Sequence, residues 1–311
     1  MTVPRSVLLA LSDSRWLRAN APRWRIVRNA AARFMPGERF EDAVAAALVL
    51  RGEGLGTVFT RLGENATSLA AADAVVRHYS EGLARAHEAG LDCDISVKLT
   101  QLGLDLDTRQ CRGNLETLAA VAARHEASVW IDMEQYAYLE RTLTIYRQLL
   151  ERFQNVGVCL QAYLRRTSED LRSLLPLGGG IRLVKGAYRE PASIAFPSKR
   201  DVDGNFLDLA ARMLAAAGAP RGPRVVFGTH DPRILNAIAG RAEGLHLGRG
   251  SFEFHLLFGI QHAEQIRLAR DGYRVRVLIS YGDEWFAWYM RRLAERPANV
   301  LFAARAILAR Q

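Results

Sequence analysis

The sequence predicts a single α/β domain folded as a distorted (β/α)8 barrel. Short β-rich runs alternate about eight times with stretches of helical spacing rich in Ala, Leu, Arg and Glu, which is typical of a parallel sheet. The 311 residues are 49% hydrophobic and 24% charged, an ordinary globular composition. No linker rich in Pro, Gly or Ser divides the chain. Eight units within roughly 250 residues fit a closed barrel better than an open sheet.

Each element can be placed on the sequence. The predicted strands are 56–62, 94–99, 128–133, 157–162, 181–186, 224–228, either 244–248 or 252–256, and 274–280. The predicted helices between them are 68–89, 112–125, 138–153, 168–174, 205–217, 231–241 and 262–270. Residues 1–50 predict an N-terminal arm or cap of two or three helices. We therefore expect one domain over 1–311, with the barrel and the C-terminal helices in 51–311.

Two C-terminal helices, 285–294 and 298–308, follow the last predicted strand. Arg291 and Arg292 are neighbours on the first of them, and adjacent helical residues point about 100° apart. Both reach one carboxylate only if this helix crosses the mouth of the barrel. The alternative is a surface pair, with Arg291 bridging to Glu295 one turn later.

The basic charge does not predict a nucleic-acid partner. Lys+Arg number 42 against 33 Asp+Glu, a net charge of +9, but the arginines are spread along the chain, whereas nucleic-acid binders concentrate charge on one face. Only three of the 42 are lysines, Lys98, Lys185 and Lys199. They mark either positions that need a compact ammonium or drift toward arginine codons.

Segment 5–39 is a local excess of arginines beside Trp16, Trp24 and Phe34. It fits peripheral contact with an anionic membrane surface, or a helical cap on its own domain. The longest apolar run, 43–50, is far shorter than the roughly 18–20 residues of a membrane span. Three cysteines without metal-ligand spacing indicate a reducing compartment. We expect a cytoplasmic protein, with peripheral attachment to the inner face of the cell membrane as the alternative.

The candidate site lies where the strands end, because chemistry in such barrels is carried by the βα-loops. Polar residues at those positions are Arg61, Glu64, Lys98, Asp132, Glu134, Gln161, Arg182, Lys185, Tyr188, Thr229, His230 and Asp231. Two of the three lysines are among them, and Lys199 is predicted in the loop after the fifth strand. The mouth is thus rich in fixed cations.

This set of residues narrows the chemistry. Neither His87 nor His125 has the second histidine of a zinc helix, so no metal is predicted. A phosphate-binding Gly-Lys-Ser/Thr loop and a serine nucleophile elbow are both missing from the sequence. A cationic mouth without a nucleophile suits an anionic substrate and a phosphate-bearing cofactor that supplies the difficult chemistry.

Seven short strings occur in order along the chain. They are SVKLTQLG at 96–103, DME at 132–134, LQAYL at 160–164, RLVKGAY at 182–188, THD at 229–231, FEF at 252–254, and YG at 281–282 followed by RR at 291–292 and Glu295. Together they resemble the proline dehydrogenase family in its small monofunctional bacterial form. The resemblance runs from about residue 56 to residue 299.

The resemblance implies an FAD-dependent enzyme that oxidises L-proline to Δ1-pyrroline-5-carboxylate, with hydride passing from C5 to flavin N5 and electrons then passing to a quinone. It implies catalytic roles for Asp132 and Arg182. The implied substrate-binding residues are Lys98, Tyr188, Leu257, Leu278, Arg291, Arg292 and Glu295. The implied flavin-binding residues are Met133, Gln161, Arg182, Lys185, Gly186, Ala187, Thr229 and His230. Glu64 matches a glutamate that pairs with Arg291 as a gate.

One position departs from the family pattern. Relatives carry a tyrosine against the far edge of the proline ring where this chain has Leu278. The departure leads to an alternative substrate, 4-hydroxyproline or another cyclic imino acid, unless Leu278 simply repacks and proline remains preferred. A distant alternative is a basic module without catalysis that binds nucleic acid or anionic lipid.

Overall fold

The computed structural model describes Trp16, Asn20, Ala21 and residues 24–219 and 222–295. The side chains of Ile26, Ala287, Arg291 and residues 293–295 are not part of that description. The predicted helix 298–308 and most of the arginine-rich stretch before residue 24 lie outside the described residues.

Eight parallel strands close one barrel in chain order. They are β1 (Gly56–Arg61), β2 (Cys93–Val97), β3 (Val129–Ile131), β4 (Val156–Gln161), β5 (Gly180–Val184), β6 (Arg224–Gly228), β7 (Phe252–Leu257) and β8 (Arg274–Tyr281). Strand β8 pairs with β1 in parallel, which closes the ring. The predicted (β/α)8 barrel is confirmed. The seventh strand is the later of the two candidates, since the earlier one overlaps the end of a helix and its turn.

A helix follows each of the first seven strands. These helices are α3 (Leu69–Glu88), α4 (Thr108–Arg124), α5 (Tyr136–Leu150), α6 (Thr167–Leu174), α7 (Lys199–Ala217), α8 (Pro232–Gly244) and α9 (His262–Arg270). Two of them, α4 and α7, begin a full turn or more earlier than predicted because a side chain caps each one. Asp107 accepts hydrogen bonds from the amides of the first turn of α4, and Ser198 does so for α7. Lys199 is therefore the first residue of a helix, not a loop residue as predicted.

The helix that follows β8 does not pack on the outside of the barrel as regular alternation would place it, and an N-terminal helix takes that position. Helix α2 (Phe40–Gly52) follows α1 (Arg25–Ala31) and packs on β1 and β8, with the Phe40 ring 5.4 Å from Phe59 and 5.5 Å from Tyr281. It fills the outer place expected for a helix after β8. Helix α10 (Trp285–Glu295) lies at the mouth instead, where Trp288 and Arg292 line a cavity. In the described part of the chain, none of the helices is both long enough and apolar enough to cross a bilayer.

The barrel is filled below the mouth by Trp130, which is fully buried with Val58 and Val226. A β-carbon at Gly157 on the neighbouring strand would lie 2.5 Å from the Trp130 ring. Glycine at this position is what admits the indole. The Arg182 and Arg224 guanidinium carbons lie 5.1 and 5.2 Å from the indole centroid.

An ionic network closes the barrel at the other end, and we call Asp94, Arg224, Glu253 and Arg276 the barrel floor. Arg224 binds Glu253 through two hydrogen bonds of 2.8 Å and Asp94 at 2.8 Å. Arg276 lies 3.3 Å from Glu253 and 3.6 Å from Asp94. Burial alone would raise the pKa of Asp94, but Arg276 and Arg224 hold it below its usual range. The floor therefore joins β2, β6, β7 and β8 with ionised side chains.

Candidate active site

A cavity of about 770 Å³ opens at the carboxyl ends of the strands, a volume typical of ligand sites. It brings together all of the residues to which the family resemblance assigns a role except Glu64, Arg291 and Glu295, whereas the strand-end candidates Arg61 and Glu134 are not among its lining residues. Those that line it are Lys98, Asp132, Met133, Gln161, Arg182, Lys185, Gly186, Ala187, Tyr188, Thr229, His230, Leu257, Leu278 and Arg292.

The three remaining residues are placed less fully. Glu64 follows β1, is half-buried and is not among the residues that line the cavity. Arg291 and Glu295 belong to α10, but their side chains are outside the described part. The gate between Glu64 and Arg291 and the clamp that includes Arg291 therefore stay predictions.

Arg182 on β5 is the centre of a buried polar cluster, with only 2% of its surface exposed. Its Nη2 donates to Asp132 Oδ1 at 2.5 Å and to Ser96 Oγ at 2.7 Å, and its Nε donates to Cys159 Sγ at 2.8 Å. Burial raises the pKa of the Cys159 thiol to about 12, so the sulfur accepts as a neutral group. Asp132 thus holds Arg182 directly.

Lys98 follows β2 and carries a charge that is not paired within the described residues. The residue is 8% exposed and lines the cavity. Its ammonium makes neither a hydrogen bond nor an ion pair with any described group. A buried cation without a partner is costly unless a ligand supplies the negative charge. This end of the cavity is suited to an anion.

Lys185 and Lys199 share two carboxylates at the other end of the cavity. Lys185 Nζ lies 2.5 Å from Asp203 Oδ1 and 3.6 Å from Asp231 Oδ2. Lys199 contacts the same Asp203 and lies 3.4 Å from Asp231. Burial would raise the pKa of Asp203, but its hydrogen bonds from the two lysines hold it below its usual range. The two carboxylates pair with both lysines, so this corner differs from the mouth rich in fixed cations that the sequence predicted.

Two features of the wall between these ends indicate a bound polar ligand. Gln161 donates through Nε2 to the Met133 carbonyl at 3.3 Å, while its buried Oε1 has no hydrogen-bond partner among the described residues. An unsatisfied buried acceptor costs free energy until a donor reaches it. Gly186 adopts φ +104°, and a β-carbon there would lie 2.1 Å from the Tyr163 ring. Only glycine keeps the backbone against the cavity at this position.

Glu134 lies just outside the cavity and is 3% exposed. It accepts hydrogen bonds from Thr100 Oγ1 at 2.6 Å and from the Thr100 amide at 3.1 Å. Burial nevertheless raises the pKa of Glu134 to about 7, and the charge of Glu64 acts in the same direction. Near neutral pH this carboxyl is partly protonated.

Comparison with known proteins assigns the family. The family model described as proline dehydrogenase matches residues 43–305. The chain is 38% identical over 304 residues to proline dehydrogenase 1 of Bacillus subtilis (strain 168), covering 98% of this chain and 99% of that protein. It is 36% identical over 285 residues to proline dehydrogenase of Deinococcus radiodurans, covering 90% of each.

The chain belongs to the proline dehydrogenase family.

A solved structure supports the fold of this family member. Proline utilization A from Bdellovibrio bacteriovorus, inactivated by N-propargylglycine, superposes with a TM-score of 0.80 at 24% identity. The match covers 87% of this chain and 33% of that one, so this family member spans about a third of that larger protein.

Sequence reasoning missed several residues of this family member that line the cavity, among them Cys159, Asp203, His255 and Trp288. Cys159 could have been found, because it lies two positions before Gln161 on the same face of β4. Trp288 likewise lies one helical turn before Arg292. Predicting Asp203 required knowing where α7 begins. Nothing in the sequence around His255 indicates that it lines the cavity. In the described residues, no group of three or more His, Cys, Asp or Glu side chains is arranged to hold a metal.

Proposed function

We propose that this protein oxidises L-proline to Δ1-pyrroline-5-carboxylate with FAD as its cofactor and passes the electrons to a quinone. One observation carries the proposal. Apart from Arg291 and Glu295, the residues that family resemblance assigns to substrate and to flavin line one cavity, and they come from the ends of several different strands and from α10. Family membership supplies the reaction type, and the polarity of the cavity supports the substrate class.

The donor and acceptor set fits FAD. Lys185, Lys199 and the backbone at Gly186 offer N–H donors where a diphosphate would lie. Gln161 Oε1 offers the buried acceptor that a ligand N–H would satisfy. Met133, Ala187, Thr229 and His230 complete the proposed flavin wall. When bound, FAD would supply the oxidant that takes a hydride from C5 of proline.

The chain's own residues would bind and orient the substrate. Arg291 and Arg292 on α10 are proposed to hold the proline carboxylate, since paired guanidinium groups match a carboxylate better than ammonium groups do. Glu295, one turn later, is proposed to support this pair, and Glu64 to close over it. Lys98 would add an ammonium group beside the same proline carboxylate. Tyr188 and Leu257 would form apolar walls that exclude water.

Arg182 and Asp132 would carry the electrostatic part of the reaction. Arg182 is a buried cation whose direction is fixed by Asp132 at 2.5 Å, so it can stabilise negative charge that develops nearby. A strong general base is not required if the amine enters as the free base. The chain's role is then to bind, to orient and to stabilise charge.

Because the proposed acceptor is a quinone, the proposal includes peripheral contact of the protein with the membrane. A membrane quinone is reached at the bilayer surface, and the arginines and tryptophans of segment 5–39 fit such contact. Metal and nucleic acid have no part in the proposed reaction.

Flavin bleaching tests the proposed function. Purified protein should be yellow, and adding L-proline without air should bleach the flavin absorbance. Colourless protein that FAD cannot reconstitute would reject the enzyme in favour of a module without catalysis. Return of the flavin absorbance when a soluble quinone is added would support the acceptor.

Leu278 favours a second candidate substrate, 4-hydroxyproline or another cyclic imino acid. Its aliphatic side chain lines the cavity beside Val58, Trp130 and Val226, where the family tyrosine would present a ring and a hydroxyl. Comparing kcat/KM for proline and trans-4-hydroxyproline in the wild type and in Leu278→Tyr decides between the two. We expect weak discrimination in the wild type and a stronger preference for proline in the variant. A strong preference for proline in both would leave proline as the substrate.

A further inference from the structure

Arg182 makes a fourth contact that the proposed reaction has not used. Its Nη1 lies 3.4 Å from Nδ1 of His255, a buried residue on β7. A guanidinium has five N–H donors and no acceptor. Nδ1 must therefore accept, and the proton of the neutral imidazole lies on Nε2.

The other side of the imidazole is fixed from the barrel floor. His255 Nε2 faces Glu253 Oε2 at 3.3 Å, and Arg224 holds that carboxylate through two hydrogen bonds of 2.8 Å. Glu253 and His255 are two residues apart on one strand, so both side chains point into the barrel. A series of hydrogen bonds therefore runs from the floor to the mouth, through Arg224, Glu253, His255 and Arg182.

The charge state of His255 suits it to holding Arg182 in place. Burial lowers the pKa of His255 to about 4, although its hydrogen bond to Glu253 opposes the shift. Near neutral pH the ring is uncharged. A neutral acceptor holds Nη1 without cancelling the positive charge of Arg182, which a second carboxylate would do.

We propose that His255 is a positioning residue for Arg182, acting through Nδ1 to fix the guanidinium plane. Asp132, Ser96 and Cys159 hold Nη2 and Nε, so His255 is the only described residue that holds Nη1. The second N–H on Nη1 has no partner among the described residues and is left for the ligand. The inference rests on the proposed function, in which flavin occupies this cavity.

Three substitutions separate the acceptor from the shape of the ring. His255→Leu removes the acceptor. His255→Phe also removes it but keeps a ring against Trp130, whose centroid lies 5.3 Å away. His255→Gln keeps an acceptor oxygen for Arg182 and a donor for Glu253. If the leucine variant fails to fold, the phenylalanine variant carries the test.

The readouts are the midpoint potential of the bound flavin, flavin content, and kcat and KM for proline. Without the acceptor we expect a loss of about tenfold in preference for reduced flavin, a fall of about 30 mV for a two-electron couple. We also expect kcat to fall by about tenfold or more, with KM changed less than about twofold because the carboxylate is bound elsewhere. The glutamine variant should recover most of both losses.

Two results would overturn the inference. Leucine or phenylalanine variants with wild-type potential and kcat would show that Nδ1 does not position Arg182. A glutamine variant as impaired as the other two would assign the effect to ring packing. Wild-type protein that neither binds flavin nor is reduced by proline would instead refute the proposed function, and that is measured before any variant.

Discussion

Single charges decide how this cavity is organised. Lys98 is buried without a hydrogen-bonded or ion-pair partner in the described chain, whereas Lys185 and Lys199 are tied to carboxylates. Arg182 is held by Asp132 on one side and by a neutral imidazole on the other. Among the described residues, Lys98 is thus a cation without an ion-pair partner at one end of the cavity, while the two lysines at the other end are paired.

Glu134 predicts a measurable pH dependence of stability. Its folded pKa is raised to about 7 by burial, so between about pH 4.5 and 7 the unfolded carboxyl loses its proton while the folded one keeps it. The contribution of Glu134 to stability should therefore fall as pH rises through this window, by roughly 3 kcal/mol in total. Glu134→Gln cannot ionise and should not show the fall.

Urea unfolding of wild type and Glu134→Gln at several pH values between 4.5 and 8 measures the effect. Glu151→Gln, at the exposed C-terminal end of α5, is the control for loss of one carboxylate. Parallel pH curves for the wild type and Glu134→Gln would contradict the prediction.

The proposed role of Arg291 predicts that a substitution there weakens substrate binding and leaves flavin binding unchanged. Arg291→Lys keeps the charge but loses two-point binding of a carboxylate, worth about 1.5–3 kcal/mol for hydrogen bonds to a charged group. We expect KM for proline to rise about tenfold or more with flavin content unchanged. Arg172→Lys, in an exposed pair with Glu169 on α6, is the control. Equal losses of affinity and flavin would assign Arg291 a structural role.

At the scale of elements, the start of α7 and the position of α10 bring helical residues into the cavity. Ser198 begins α7 early enough to place Lys199 and Asp203 in its first turns. Helix α10 is free to lie at the mouth because α2 packs on β1 and β8 in its place. Both effects add helical side chains to a site otherwise built from strand ends.

The helix cap of α7 gives a prediction with a matched control. Ser198 Oγ accepts a hydrogen bond from the Asp201 amide at 3.1 Å, and Ser68 Oγ accepts one from Ala71 at 3.1 Å at the start of α3. Each serine-to-alanine change should cost about 1 kcal/mol in free energy of unfolding. Only Ser198→Ala should also weaken FAD binding, measured by flavin fluorescence titration. Equal FAD affinity in both variants would show that the start of α7 does not contribute to FAD binding.

At the scale of the whole molecule, the barrel floor joins β2 to the consecutive strands β6, β7 and β8, which lie far from β2 in sequence. Arg224→Met leaves Asp94 and Glu253 buried with one cation fewer, and breaking a buried ion pair costs about 3–5 kcal/mol. Arg172→Met, whose pair with Glu169 is exposed, should cost less than about 1 kcal/mol. Urea unfolding of both variants measures the contrast. A loss of stability at Arg224 no larger than that at Arg172 would show that the floor is dispensable.

The sequence predicted most of the barrel and much of the candidate site, because both depend on local signals. Strand and helix periods are local, and the carboxyl ends of parallel strands meet at one rim. Lys98, Asp132 and Lys185 were expected at that rim, and they line the cavity. What could not be predicted depends on contacts across the barrel. The bond from His255 to Arg182 joins β7 to β5, and neither residue carries a signal of the other.

The placement of the lysines has a practical consequence for labelling. All three lysines of the chain, Lys98, Lys185 and Lys199, line the same cavity. Acylating dyes and resins that couple through side-chain amines would therefore attach at the site itself and obstruct it. The same chemistry gives a footprint of occupancy, since a ligand in the cavity should shield Lys185 and Lys98 from acylation more than it shields the exposed Lys199.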